Sequence, residues 1–136
     1  MVNIRSAVVA ACVAVATPAA AQSRGDAISP ILEHAIPNIP GKSLVAVVVD
    51  YAPGGASPAH AHPKSAFIYG FVVSDAIESQ VNDGLRRVYH AGESFYEDPL
   101  PPFSQPQCEC DRAAKLLAVF VVDTDDKALT GPGKQT

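Results

Sequence analysis

Positive charge is scarce in this 136-residue chain: ten Lys and Arg stand against fourteen Asp and Glu, for a formal net charge of −4, and the basic residues nowhere cluster. Nucleic acid and anionic membrane surfaces are recognised through concentrated cationic charge, so the composition argues against both as partners. Ordinary solubility accounts for the mild acidity. Catalytic signatures are as sparse. The chain has no GxSxG nucleophile elbow and no phosphate-cradling glycine loop. Glu93 and Glu97 lie four residues apart, which on a strand separates them by about 13 Å, too far for a paired acid and base.

Long apolar runs are missing too. The stretch Ala7 to Ala16 is too short for a spanning helix, but it follows a basic start at Arg5 and precedes small residues at Ala19 and Ala21. That order is the pattern of a secretory signal, with cleavage expected after Ala21 and the mature protein secreted or periplasmic, with no membrane attachment after cleavage. A lipoprotein-type cleavage at Cys12 is the rival reading, and the apolar run before it has only about half the usual core length. Removal of residues 1–21 leaves a chain sized for one domain with one core.

Cysteine is limited to three residues, and Cys12 leaves with the signal. In an oxidising compartment Cys108 and Cys110 are candidates for a disulfide. With only Glu109 between them, that ring is tight and strained. Free loop thiols, a redox couple or a soft-metal pair are the alternatives.

Helix signals are few and strand signals frequent. Ser29 to Ala35 (SPILEHA) reads as one helical turn, with Ser29 as cap and Pro30 at the first helical position. Leu44 to Val49 and Leu116 to Val122 are aliphatic runs suited to buried strands. Ala66 to Val73 and Ser94 to Tyr96 add further strands. Ile77 to Val81 and Leu85 to Tyr89 flank Asn82-Asp83-Gly84, a hairpin signal, because these three residue types tolerate positive φ. Four prolines between Pro99 and Pro106 deny the backbone its ladder donors, and the tail from residue 124 to 136 is polar and expected to be flexible.

Within this strand-rich body, residues 54–70 (GGASPAHAHPKSAFIYG) carry the chemistry. His60 and His62 sit one residue apart, and on a β-strand that spacing projects both imidazoles from one face, where they can share a metal ion.

The aliphatic run from Ser43 to Tyr51, the Pro53-Gly54-Gly55 turn, HAHP, FIYGFVV and GESFYEDPLPP together resemble the cupin family over about residues 43–123. The resemblance implies an all-β fold: a single-domain cupin-type β-barrel, or jelly roll, at 43–123, behind a short N-terminal arm at 22–42. It also implies a divalent transition metal (Fe, Mn, Zn, Ni or Cu), a small-molecule ligand and a homodimer made through outer strands. Gly55, His60 and His62 fit the first motif of the family. Ala66 or Phe67 stands where a metal-binding glutamate is usual, and Asp75 stands at the closing glycine. Gly92 opens the second motif, but Leu100 replaces its turn glycine, and Pro102 or Phe103 occupies the place of the third histidine.

Two of four customary ligands therefore remain, whereas a catalytic metal site generally needs about three plus an open position. Substitutes are sought among Gln105, Cys108, Cys110 and His90, with His34, Glu97 and Asp98 as further recruits. Phe67, Tyr69, Phe95 and Phe103 are the candidates to line a ligand pocket in the barrel. The family resemblance leaves three functions: a binding module for a small organic ligand or a divalent ion, a metal-dependent oxygenase, isomerase or lyase, and a structural barrel.

Overall fold

The computed structural model describes residues 25–81, 84–99, 103–104, 107–108 and 112–132, the four residues at 103–104 and 107–108 by main chain alone. They form eleven strands: β1 (Asp26–Ala35), β2 (Lys42–Tyr51), β3 (His60–Ala61), β4 (Phe67–Ser74), β5 (Ala76–Ser79), β6 (Arg87–His90), β7 (Ser94–Glu97), β8 (Phe103–Ser104), β9 (Gln107–Cys108), β10 (Ala114–Asp123) and β11 (Gly131–Pro132). No helix occurs among the described residues. The strands assemble into one five-stranded sheet, in the order β1-β2-β10-β4-β7, and two three-stranded sheets, β11-β3-β8 and β6-β5-β9. Every pairing is antiparallel.

The core follows from alternation along the longest strands. In β2 the buried face carries Val45, Val47, Val49 and Tyr51, and in β10 it carries Leu116, Ala118, Phe120 and Val122. Ile68 and Val72 of β4 continue that face, and Ile77 of β5 closes over it from another sheet. Burying each large apolar side chain contributes about 1.5–3 kcal/mol, so these positions set which face of the sheet turns inward.

Residues 29–35 depart from the helical turn that their sequence predicts. They lie in β1, antiparallel to β2, with Asp26 opposite Tyr51 and a register shift between Pro30 and Leu32. A single turn makes few hydrogen bonds, whereas the open edge of β2 satisfies a whole strand. Pro30, which cannot donate, is tolerated because it sits on an edge strand beside an irregularity.

The hairpin signal is fulfilled with shorter strands. β5 pairs with β6 from Ala76 opposite His90 to Ser79 opposite Arg87, and its tip at 82–83 lies outside the described residues. Asp75, at the position of the closing glycine, has φ of +59°. Aspartate is among the few residue types that enter this region readily, and Arg112 Nε binds its carboxylate at 2.9 Å.

The segment after residue 123 is not wholly a loose tail. Gly131 and Pro132 pair with Ala61 and His60, and Phe103 and Ser104 pair with the same two residues from the other side. The histidine-bearing strand is thereby held in a short sheet of its own.

Candidate functional site

A cavity of about 400 Å³ opens within the barrel, with β2, β4, β7 and β10 forming its apolar wall and β3 its polar end. Val47, Val49, Ile68, Leu116, Ala118 and Phe120 line it together with Phe95. Gly70 faces Phe95 across β4 and β7, and the absence of a side chain at Gly70 makes room for that ring.

His60 and His62 both line the cavity, with ring centroids 4.7 Å apart and planes at 84°. Each ring is fixed from behind. His60 Nδ1 lies 2.8 Å from the carbonyl of Pro58, and His62 Nδ1 lies 2.8 Å from the carbonyl of Leu129. A carbonyl oxygen only accepts, so both Nδ1 atoms carry the hydrogen and both Nε2 atoms keep a lone pair. Burial holds both imidazoles below their ordinary value of 6.5, the carbonyl hydrogen bonds offsetting part of that effect; for His60 the neighbouring His62 lowers it further. Both rings are therefore neutral at neutral pH. The ring of Phe120 packs edge-on against His62 at 5.4 Å between centroids.

Glu97 joins them. It comes from β7, is 4% exposed, and its Oε2 lies 3.6 Å from His62 Nε2. Period-two alternation puts Glu97 on the same face as Phe95, and packing of that aromatic ring brings the carboxylate inward. The carboxylate missing at Ala66 and Phe67 is thus present in the cavity from another strand.

A second polar group lies elsewhere along the wall. Ser57 Oγ donates to Asp26 Oδ2 at 2.8 Å, and Tyr51 OH lies 3.0 Å from Ser57 Oγ. Because the serine hydrogen is directed to the carboxylate, the tyrosine supplies the hydrogen of the other bond. All three residues line the cavity. No sequence signal marks them, since Asp26 belongs to the segment read as an arm and meets Tyr51 only through the β1–β2 register.

Several expected site residues lie elsewhere. Phe67 and Tyr69 do not line the pocket: they are 39% and 41% exposed on the outer face of β4, while Ile68 and Gly70 between and beyond them point inward. Phe95, of that set, does line it. His90 is also no recruit. It stands exposed at the end of β6, beside the Glu93 carboxylate at 3.4 Å. His34 is exposed on β1 and Asp98 is exposed after β7, both away from the cavity. Cys108 pairs with Ile77 through its main chain. Its side chain, that of Phe103, and all of Gln105 and Cys110 lie outside the described residues.

The residues meet the needs of a metal in part. Two neutral imidazoles with carbonyl-backed Nδ1 atoms are suitable donors. Yet among the described residues no group of three His, Cys, Asp or Glu side chains is arranged to hold an ion. The donors among the described residues therefore do not make up a closed three-ligand centre.

Fold and cavity define a class: small antiparallel β-barrels that enclose a ligand-sized space. Residues 47–120 match the family model of the cupin domain, and this chain belongs to that family. Among solved structures it is similar to an uncharacterised conserved protein with a double-stranded β-helix domain from Klebsiella pneumoniae, at 18% identity and a TM-score of 0.64, over 82% of this chain and 86% of the other. It is also similar to KdgF from Halomonas sp., at 22% identity and a TM-score of 0.56, over 75% of this chain and 83% of the other. An oxalate oxidase in complex with the substrate analogue glycolate matches at 24% identity and a TM-score of 0.58, over 79% of this chain but only 53% of that larger one. At these identities the likeness is one of fold. No curated protein sequence matches the chain.

Proposed function

We propose that this protein is an exported cupin that binds a small organic molecule inside its barrel, with His60 and His62 at the polar end of the site. The observation that carries this reading is the cavity itself, about 400 Å³, apolar along most of its wall and ending on two uncharged imidazoles. Ligand sites of soluble proteins have this size and this balance of apolar wall and few polar groups. The likeness to an oxalate oxidase that holds glycolate supports the use of such a barrel for small organic molecules. The signal-like leader at residues 1–21 supports export.

A divalent transition ion at His60 and His62 is the second reading, supported by the carbonyl backing of both rings. Two ligands hold an ion loosely, so this reading gives a labile site.

Amide chemical-shift mapping with benzyl alcohol, a ring of suitable size, tests the main reading. Shifts are expected at Val47, Ile68, Gly70, Phe95 and Leu116, with none at Phe67 and Tyr69 beyond those transmitted along β4. Absence of saturable shifts along the wall would sink it. Metal content by mass spectrometry, compared with a His60→Ala, His62→Ala double variant, tests the second. A near-stoichiometric ion lost in the variant is the outcome that supports it.

A further inference from the structure

We infer that the ligand is an organic cation, a protonated amine on an apolar body, recognised by the carboxylates of Asp26 and Glu97 with the His60 and His62 Nε2 atoms as acceptors. This rests on the reading of the cavity as a small-molecule site and adds the class of molecule.

The argument is one of matching polarity. Among the described residues that line the cavity there is no Lys and no Arg, whereas two carboxylates are present. Both histidines offer only lone pairs, because their Nδ1 hydrogens are committed to the carbonyls of Pro58 and Leu129. The hydroxyl hydrogens of Ser57 and Tyr51 are likewise directed along the chain that ends on Asp26. Apart from the Thr130 hydroxyl, these polar side chains accept, and a ligand gains by donating. An anion entering this wall meets two negative charges without a cation to offset its lost hydration.

Placement supports the same conclusion. Asp26, Glu97, His60 and His62 all line the same cavity, so an ammonium held there is attracted by both carboxylates. The apolar wall from Val47 to Phe95 then accommodates the body of the molecule.

The test is calorimetric titration of the full chain at pH 7.5 with benzylamine, benzyl alcohol and benzoate, three probes of nearly one shape that differ in charge. Benzylamine is expected to bind about tenfold or more tightly than benzyl alcohol, and benzoate least, in keeping with the strength of hydrogen bonds to charged groups. Asp26→Asn and Glu97→Gln are each expected to reduce the benzylamine-to-benzyl alcohol affinity ratio about tenfold. That ratio is read on folded protein only, and the Asp26 variant, outside the core, carries the test if the Glu97 variant fails to fold. Benzoate binding as tightly as benzylamine overturns the cation assignment while leaving the cavity a ligand site. If a chelator then abolishes the benzoate binding, a resident ion is what replaces the assignment. Failure of all three probes overturns the site reading and this inference with it.

Discussion

The Nδ1 hydrogen of His62 is donated to the main-chain carbonyl of Leu129, 67 residues downstream, at 2.8 Å. A residue of the polar C-terminal segment thereby sets which nitrogen of a cavity histidine carries the proton. The same segment supplies β11, which flanks His60 and Ala61.

Ending the chain at Ala128 should therefore change the chemistry of the site and not merely its outline. In the full chain, imidazole nitrogen NMR is expected to report His62 protonated at Nδ1 and unprotonated at Nε2. In the shortened chain that preference should disappear, with a loss of about 1–2 kcal/mol in stability for the missing hydrogen bond and the exposed ring. Retention of a pure Nδ1–H tautomer after truncation would show that Leu129 does not set it.

Acid should destabilise the fold through the same two rings. Burial holds His60 and His62 below 6.5 in the folded protein, whereas in the unfolded chain they titrate near that value. The unfolded state then binds more protons as the pH falls, so the stabilising contribution is complete above about pH 6.5 and is lost as the pH drops toward the folded-state values. Melting temperature followed from pH 7.5 to 4.5 should fall more steeply for the native chain than for a His60→Gln, His62→Gln double variant. Parallel curves would contradict this.

Gly70 is the cavity-lining position where a single added methyl group meets another side chain. A Cβ built there lies 2.6 Å from the Phe95 ring, with two more ring atoms at 2.9 Å. Gly70→Ala is expected to cost about 1–3 kcal/mol through forced displacement of that ring. It should also weaken binding of any molecule that rests against Phe95. Combining it with Phe95→Leu should recover part of the stability, measured by denaturant unfolding, because the smaller side chain vacates the contested space.

Some of this molecule is legible residue by residue. The alternation in β2 and β10 gives the buried face of the main sheet, and the one-residue spacing of His60 and His62 puts both rings in one cavity. Asp75 was readable as a glycine substitute because it stands in the motif where the chain must turn, and its φ of +59° fits that place. Phe67 and Tyr69 depart from their expected inward placement for a reason of parity. An aromatic residue on a strand between two apolar neighbours gives no sign of which face is inward until pairing partners are known. In β4 the small Gly70 is an inward residue, and the rings on either side of it point away from the cavity. Residues 29–35 depart from the expected helical turn because cap and proline signals are local, while the edge of β2 that captures them is not.

What the sequence by itself determined is the strand-rich barrel and the histidine pair, because both depend on periodicities of two to a few residues that local chemistry enforces. Tertiary structure decided the remainder of the site. Glu97 reaches His62 from β7, Leu129 clamps that ring from beyond β10, and Asp26 joins Tyr51 and Ser57 through the β1–β2 register. Each of these contacts closes a loop of tens of residues, and its existence depends on strand order and register across the whole sheet, which no local pattern of residues encodes.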